Sequence, residues 1–290
     1  MHPQRSPLAI ALLVATTLVA STLASAQSPP DTLGKIRAAG QINVGYSPDS
    51  LPFSSTGSEG RPIGYSIELC QRIVAAIGRT VGNPTLRINW ITGTVAERLA
   101  AVKAGRVDIE CANTTATISR MADVDFSSLV FVDSGGFLVR ADGPIQQFSE
   151  FAGKRVGVIA GTTTEQRLTL ALKENGVAAT VVPVRDGPEG TAMLEAGTLD
   201  GFAGDKIKLI GLAVTARNPA GLSLLAAELS YEPYAFALPR GDSSFRLAVN
   251  RELTRIYVTE IDGIFSRHLG KLGRPSGLLA SMYLLNAIPD

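Results

Sequence analysis

Histidine is the scarcest chemistry-bearing residue in this 290-residue chain, which has only His2 and His268. Beyond the first 26 residues only His268 remains, so a histidine-rich metal site or a histidine-dependent catalytic triad would rest on one side chain. His268 falls in "IDGIFSRHLGK", a helical, apolar-rich stretch with no nucleophile or second ligand beside it. It reads as a packed or surface histidine. Cysteine is no commoner in the full chain: Cys70 and Cys111 are the two, and they match no metal-ligand spacing. Export would permit a disulfide between them. The sequence leaves that bridge and a pair of buried free thiols both open, because it does not give their separation.

An excess of one charge is also missing. There are 27 Lys and Arg against 26 Asp and Glu, with no run of like charge. That balance gives no reason to expect nucleic acid or an anionic membrane as partner. Long apolar runs are absent but for Leu8–Ala20, about 13 residues against the ~20 of a spanning helix. Arg5 precedes this run and Ala24-Ser25-Ala26 follows it. Together they predict a secretory signal over residues 1–26, cleaved between Ala26 and Gln27, and an exported, soluble mature chain. Residues 27–290 suffice for two domains at ~100–200 residues each.

What the chain does have is alternation. "QINVGY" reads as a strand. "GYSIELCQRIVAAIG" places Ile67, Cys70, Ile73, Val74 and Ile77 on one helical stripe. Strand "TLRINWI" follows. Helix "TVAERLAAVKAG" comes next, with Thr94 and Glu97 as a capping box and Gly105 as its stop. Strand "VDIECA" completes the series. The second half repeats the style from "KRVGVIAG" to "LSLLAAEL". Strands alternating with helices of this length predict an α/β protein with parallel sheets covered on both faces. Joints near "FVDSGGFLVRADG" and "YEPYAFALPR" divide it into two lobes, residues 27–136 with 236–290 and residues 137–235, because one sheet seldom exceeds ~10 strands. Two short crossings of this kind form a hinge across a cleft.

Ligands of α/β sheets sit beyond the carboxyl ends of the strands, and that rule orders the candidates. "VDIECANTT" ends in Asn113, Thr114 and Thr115, with Arg120 just beyond. An arginine there can clamp a carboxylate with two parallel N–H bonds. Gly161, Thr162 and Thr163 open a helix, where free N–H groups and the helix dipole suit an anion. Asp205, directly after an apolar strand, suits an ammonium group or serves as a helix N-cap. Tyr46 and Phe53 are placed to cover an aliphatic stem or to fill the core. A carboxylate clamp, a pair of hydroxyls and an ammonium acceptor are together what a free α-amino acid requires.

These segments resemble a known family. "GYSIELCQRI", "RLAAVKAGRVDIECANTTATISR", "DFSSLVF", "FAGKRVGVIAGTTTEQRL" and "MLEAGTLDGFAGDK" are similar, in order, to the periplasmic solute-binding proteins of ABC-type amino-acid importers. The block from Gly105 to Arg120 is closest to the glutamate/aspartate-binding branch. The resemblance implies two α/β lobes, a two-segment hinge, one amino acid trapped between them, an inner-membrane permease as partner, a periplasmic location, a monomeric state and no cofactor. It assigns the ligand α-carboxylate to Arg120, Thr115 and the helix start at Thr162 and Thr163. The α-amino group falls to Asn113 and Asp205, and the walls to Tyr46 and Phe53. Arg98 falls where acidic-ligand members aim an arginine at the ligand side chain. Read by itself, Arg98 is a first-turn helix residue of the kind usually solvated.

Two positions depart from the acidic-ligand pattern, Ser47 after the first strand and Gly187 in "RDGPEG", where such members can carry a basic residue and a histidine. The implied ligand is therefore glutamate, aspartate or another polar amino acid. Two other roles fit the same scaffold, a sensor subunit that binds the same ligand and a dehydratase-type enzyme. The second would need a carboxylate such as Glu97 or Glu165 as acid, since His268 lies outside the candidate site.

Overall fold

The apolar stripes and strand tips read above take shape in a computed structural model that describes residues 31–289. The signal expected over residues 1–26 lies outside them. The first half contains α1 (Thr32–Ala39), β1 (Gln41–Tyr46), the short β2 (Asp49–Ser50), β3 (Ser54–Thr56) and β4 (Pro62–Ile63), α2 (Tyr65–Thr80), β5 (Arg87–Thr92), α3 (Val95–Lys103), β6 (Ile109–Glu110) and the long β7 (Asp125–Arg140). Then come β8 (Arg155–Ile159), α4 (Thr163–Glu174), β9 (Thr180–Val184), α5 (Gly187–Glu195), β10 (Gly201–Asp205), α6 (Lys206–Thr215), β11 (Leu222–Leu224) and β12 (Ser230–Leu238). The chain closes with α7 (Ser243–Thr259), α8 (Ile261–Leu269) and α9 (Gly277–Asn286).

Local rules account for most of these elements. In α2 the stripe Ile67, Cys70, Ile73, Val74 and Ile77 is buried. Both halves of the Thr94/Glu97 capping box form at α3, and Gly105 turns the chain with a φ of +67° just beyond its end. The expected strand "VDIECA" is regular over two residues only, Ile109 and Glu110, although the Asp108 and Cys111 amides still donate to the Asn43 and Gly45 carbonyls of β1 and the Asp108 carboxylate accepts from the Asn43 N–H at 2.8 Å.

The expected joint at 131–143 is no loop. It lies largely within β7, a single 16-residue strand. Gly135 and Gly136 stay extended there because they leave room: a Cβ would fall 2.3 Å from Ser230 Oγ and 2.9 Å from Lys206 Cγ, respectively. The neighbour along most of β7 is antiparallel β12. The backbone ladder is therefore continuous from lobe to lobe, in the order β5-β1-β6-β12-β7-β10-β8-β9, with β11 on β7. Pairing is parallel on both outer flanks, β5-β1-β6 and β10-β8-β9.

The hydrophobic cores nevertheless fall into two groups. One gathers Ile42, Phe53, Cys70, Phe131, Tyr234 and Phe245, among others, with a satellite around Val107 and Ala237. The other gathers Phe137, Phe151, Val156 and Leu168, with a satellite around Leu138 and Phe202. Each such side chain contributes ~1.5–3 kcal/mol by burial, so each lobe has its own source of stability. The fold is a two-lobed α/β architecture whose lobes share the hinge strands β7 and β12.

Candidate functional site

Parallel pairing points the carboxyl ends of β1 and β6 the same way, and those of β8 and β10 likewise. The register of β10 sets Asp205 opposite Gly135, midway along the hinge strand. Residues far apart in sequence meet there. Asn113 Nδ2 donates to Asp205 Oδ2 at 3.0 Å. Thr164 Oγ1 reaches Asp205 Oδ1 at 3.4 Å. The hydroxyls of Thr115 and Thr163 lie 3.4 Å apart. Arg120 turns back to donate from Nη1 to the Thr115 carbonyl at 2.7 Å. Of the residues singled out by sequence, Asn113, Thr115, Arg120, Thr163 and Asp205 thus form one cluster.

Its electrostatics are those of a partly dry site. Burial pushes the Arg120 guanidinium down from its ordinary value, against the charges of Glu110 and Glu232, which hold it up. The Asp205 carboxyl is pushed up by burial and then by the charge of Glu232. Asp133 is pushed up to about 7, first by burial and then by the charge of Asp205. Bonds from the Ser134 and Ile207 amides and from the Tyr234 hydroxyl oppose that rise. A surplus of carboxylate beside one arginine favours a ligand that carries its own positive charge.

Glu232, Asp133 and Tyr234 were not singled out by sequence. Glu232 is 1 % exposed. Its Oε2 accepts from Thr115 Oγ1 at 2.5 Å and from Thr163 Oγ1 at 3.0 Å, and its Oε1 accepts from Ser230 Oγ at 2.5 Å. It stands directly opposite Asp133 in the β12–β7 register. A signal was available, since Glu232 is a charge at an inward position of the otherwise apolar run "YEPYAFAL". Asp133 Oδ2 also accepts from the Ile207 amide at 3.2 Å. It thereby caps α6, whereas Asp205 makes no side-chain cap to that helix.

Several expectations change. Arg98 is not solvated: it is 5 % exposed, its Nε donates to Glu110 Oε1 at 2.7 Å and its Nη1 to the Gly93 carbonyl at 2.5 Å. A guanidinium at that depth requires a counter-charge, and Glu110 supplies it. Phe53 is fully buried, its ring packed against Tyr65, Phe131 and Tyr234. Tyr46 is also buried, its ring edge-on to Trp90 and its hydroxyl 3.2 Å from Thr56 Oγ1. The α4 start is not wholly free for an anion. Glu165 Oε2 takes the Gly161 N–H at 2.8 Å, and Thr162 caps the helix by accepting from the Glu165 amide.

Cys70 and Cys111 form a disulfide with Cα atoms 6.1 Å apart, which joins α2 to the chain just before Asn113. His268 sits at the surface of the first lobe, 2.7 Å from Glu68 Oε2. Among the described residues no group of three or more His, Cys, Asp and Glu side chains is arranged to hold a metal.

Comparison with known proteins adds the following. Residues 42–271 match the profile of the bacterial extracellular solute-binding proteins, family 3. The chain is 31% identical over 271 residues to an L-glutamate/L-aspartate-binding protein of Pseudomonas aeruginosa, covering 92% of this chain and 90% of that one. It is 27% identical over 256 residues to the glutamate/aspartate import solute-binding protein of Escherichia coli, covering 88% and 85%. Among solved structures, an ABC transporter periplasmic binding protein from Brucella ovis with glutathione bound superposes with a TM-score of 0.73 at 26% identity, covering 90% of this chain and 81% of that one.

Proposed function

This chain belongs to the bacterial extracellular solute-binding proteins, family 3, and we propose that it traps a polar free α-amino acid between its lobes and delivers it to the inner-membrane permease of an ABC importer. The single observation that carries this reading is the assembly of Arg120, Thr115 and Thr163 beside Asp205 and Asn113 across the lobe boundary. Arg120 and the two hydroxyls take the α-carboxylate, aided by the α4 start at Thr162. Asp205 and Asn113 take the α-ammonium, whose charge offsets the local surplus of carboxylate. No bond is made or broken: the protein binds and does not catalyse.

The lobes of this reading are residues 27–136 with 236–290 and residues 137–235. The mature protein is a periplasmic monomer released by cleavage between Ala26 and Gln27. Glutamate and aspartate lead the ligand candidates, because the relatives are named for them. Arg98 is the group that would attract an acidic end, and it shares its charge with Glu110. A side chain with a neutral polar end fits that pair equally well. Tyr46 and Phe53 support the site from behind.

A thermal-shift screen of the 20 amino acids on the mature protein tests the proposal. A ligand at 100 times its dissociation constant adds about 2.7 kcal/mol of stability, which raises the melting temperature of one or a few samples. If none of the 20 moves it, the amino-acid reading is wrong.

A further inference from the structure

Both places that the reading above reserves for the ligand's carboxylate are held here by carboxylates of the protein itself. Glu165 caps the start of α4. Glu232, fully enclosed, takes both clamp hydroxyls at once, Thr115 from the first lobe and Thr163 from the second. It reaches them from hinge strand β12, and it is one of the two negative charges that bear most strongly on Arg120. A carboxylate that accepts from two hydroxyls beside an arginine has the same partners as a bound α-carboxylate.

We propose that Glu232 is an internal competitor for the ligand: it occupies the carboxylate clamp and ties the lobes together until an incoming α-carboxylate displaces it. The inference rests on the assignment of Thr115 and Thr163 to the ligand's carboxylate. Its physical content is an exchange of one carboxylate for another at the same donors, so the clamp never stands buried without an acceptor. Because only protein with its clamp released accepts ligand, apparent affinity is reduced by the fraction that is self-occupied. The tie also contributes to the resting separation of the lobes, alongside the Asn113–Asp205 bond, and no other side chain among the described residues bonds both Thr115 and Thr163. Glu232 is thus a positioning residue of the hinge that tunes affinity.

The experiment compares wild type with E232Q, which keeps the side chain's shape and removes its charge. Lobe separation in the ligand-free proteins is read from the distance between spin labels at the exposed Lys103 and Lys173. Affinity is read by calorimetry with the amino acid that gives the largest thermal shift in wild type. The proposal expects E232Q to rest with its lobes farther apart and to bind about tenfold more tightly, as release of a mostly self-occupied clamp requires. Equal or weaker binding by E232Q overturns it, because Glu232 would then be structural or would serve the ammonium. An unchanged label distance overturns it as well. A wild type that responds to no amino acid removes the functional reading, while the label distances still decide whether Glu232 ties the lobes.

Discussion

Asp133 shows how much one hinge side chain can carry. It is 8 % exposed and faces Asp205, Glu232 across the strand pair, the Tyr234 hydroxyl and the amides of Ser134 and Ile207. Its carboxyl titrates at about 7 in the folded chain, against ~4 for an unfolded aspartate. Between those values the folded state binds the extra proton. The contribution to stability is therefore full at low pH, falls as pH rises through the window by at most about 1.4 kcal/mol per unit, and is flat above it. The expected outcome is that wild type loses urea-unfolding free energy relative to D133N steadily from pH 4.5 to pH 7, as the wild-type carboxyl gives up its proton while the neutral Asn does not change. A pH-independent difference would refute the assignment.

Residues also differ in how far they could be read in advance. Arg120, Thr115 and Asp205 were legible because each follows a strand tip, where polar groups have few structural reasons to be. Glu232 and Asp133 were hidden inside strands. Their importance comes from the β12–β7 register, a long-range pairing that no local pattern encodes.

At the scale of elements, helices with a clear apolar stripe or a capping box were legible, although α2 runs two residues past its expected end at Gly78. The stripe of α2 and the capping box of α3 are local, and local physics suffices for them. The hinge was legible in position but not in form. A joint was expected around Gly135 and Gly136, yet the strand continues through both, with Ser230 and Lys206 packed closely over the two glycines. The Cys70–Cys111 bridge joins two elements whose separation the sequence did not reveal.

The bridge closes a loop of 41 residues, which corresponds to about 4 kcal/mol by loop-closure entropy. The paired variant C70A/C111A is expected to lose up to that much stability in chemical unfolding. It should also bind ligand more weakly, because the bridge fixes the chain two residues before Asn113. Unchanged unfolding and unchanged binding would mean that the core alone holds α2 against the strand tip.

The whole molecule combines two independent cores with one uninterrupted backbone ladder. The lobes are firm because each buries its own aromatics, and they are coupled because β7 and β12 run through both. The cluster lies near the midpoint of those two strands. Only the whole molecule brings this cluster together: Asn113, Thr115 and Arg120 precede β7, Thr163 and Asp205 follow it, and Asp133 and Glu232 lie on β7 and β12 themselves. The relatives' names concern acidic amino acids, whereas the Arg98 guanidinium in this chain is already paired with Glu110.

The proposed recognition of a free amino acid places its α-carboxylate on the half-buried Arg120 and the hydroxyls of Thr115 and Thr163. Calorimetric titration of the mature protein with its best amino acid, and with the α-carboxamide of that same amino acid, tests this most directly, with R120A as the paired variant. The free amino acid should bind one per chain at micromolar affinity or better, roughly −8 kcal/mol. The amide, like the R120A variant with the free acid, should lose on the order of 2–5 kcal/mol. Equal binding of the amide and the acid by wild type would contradict the account.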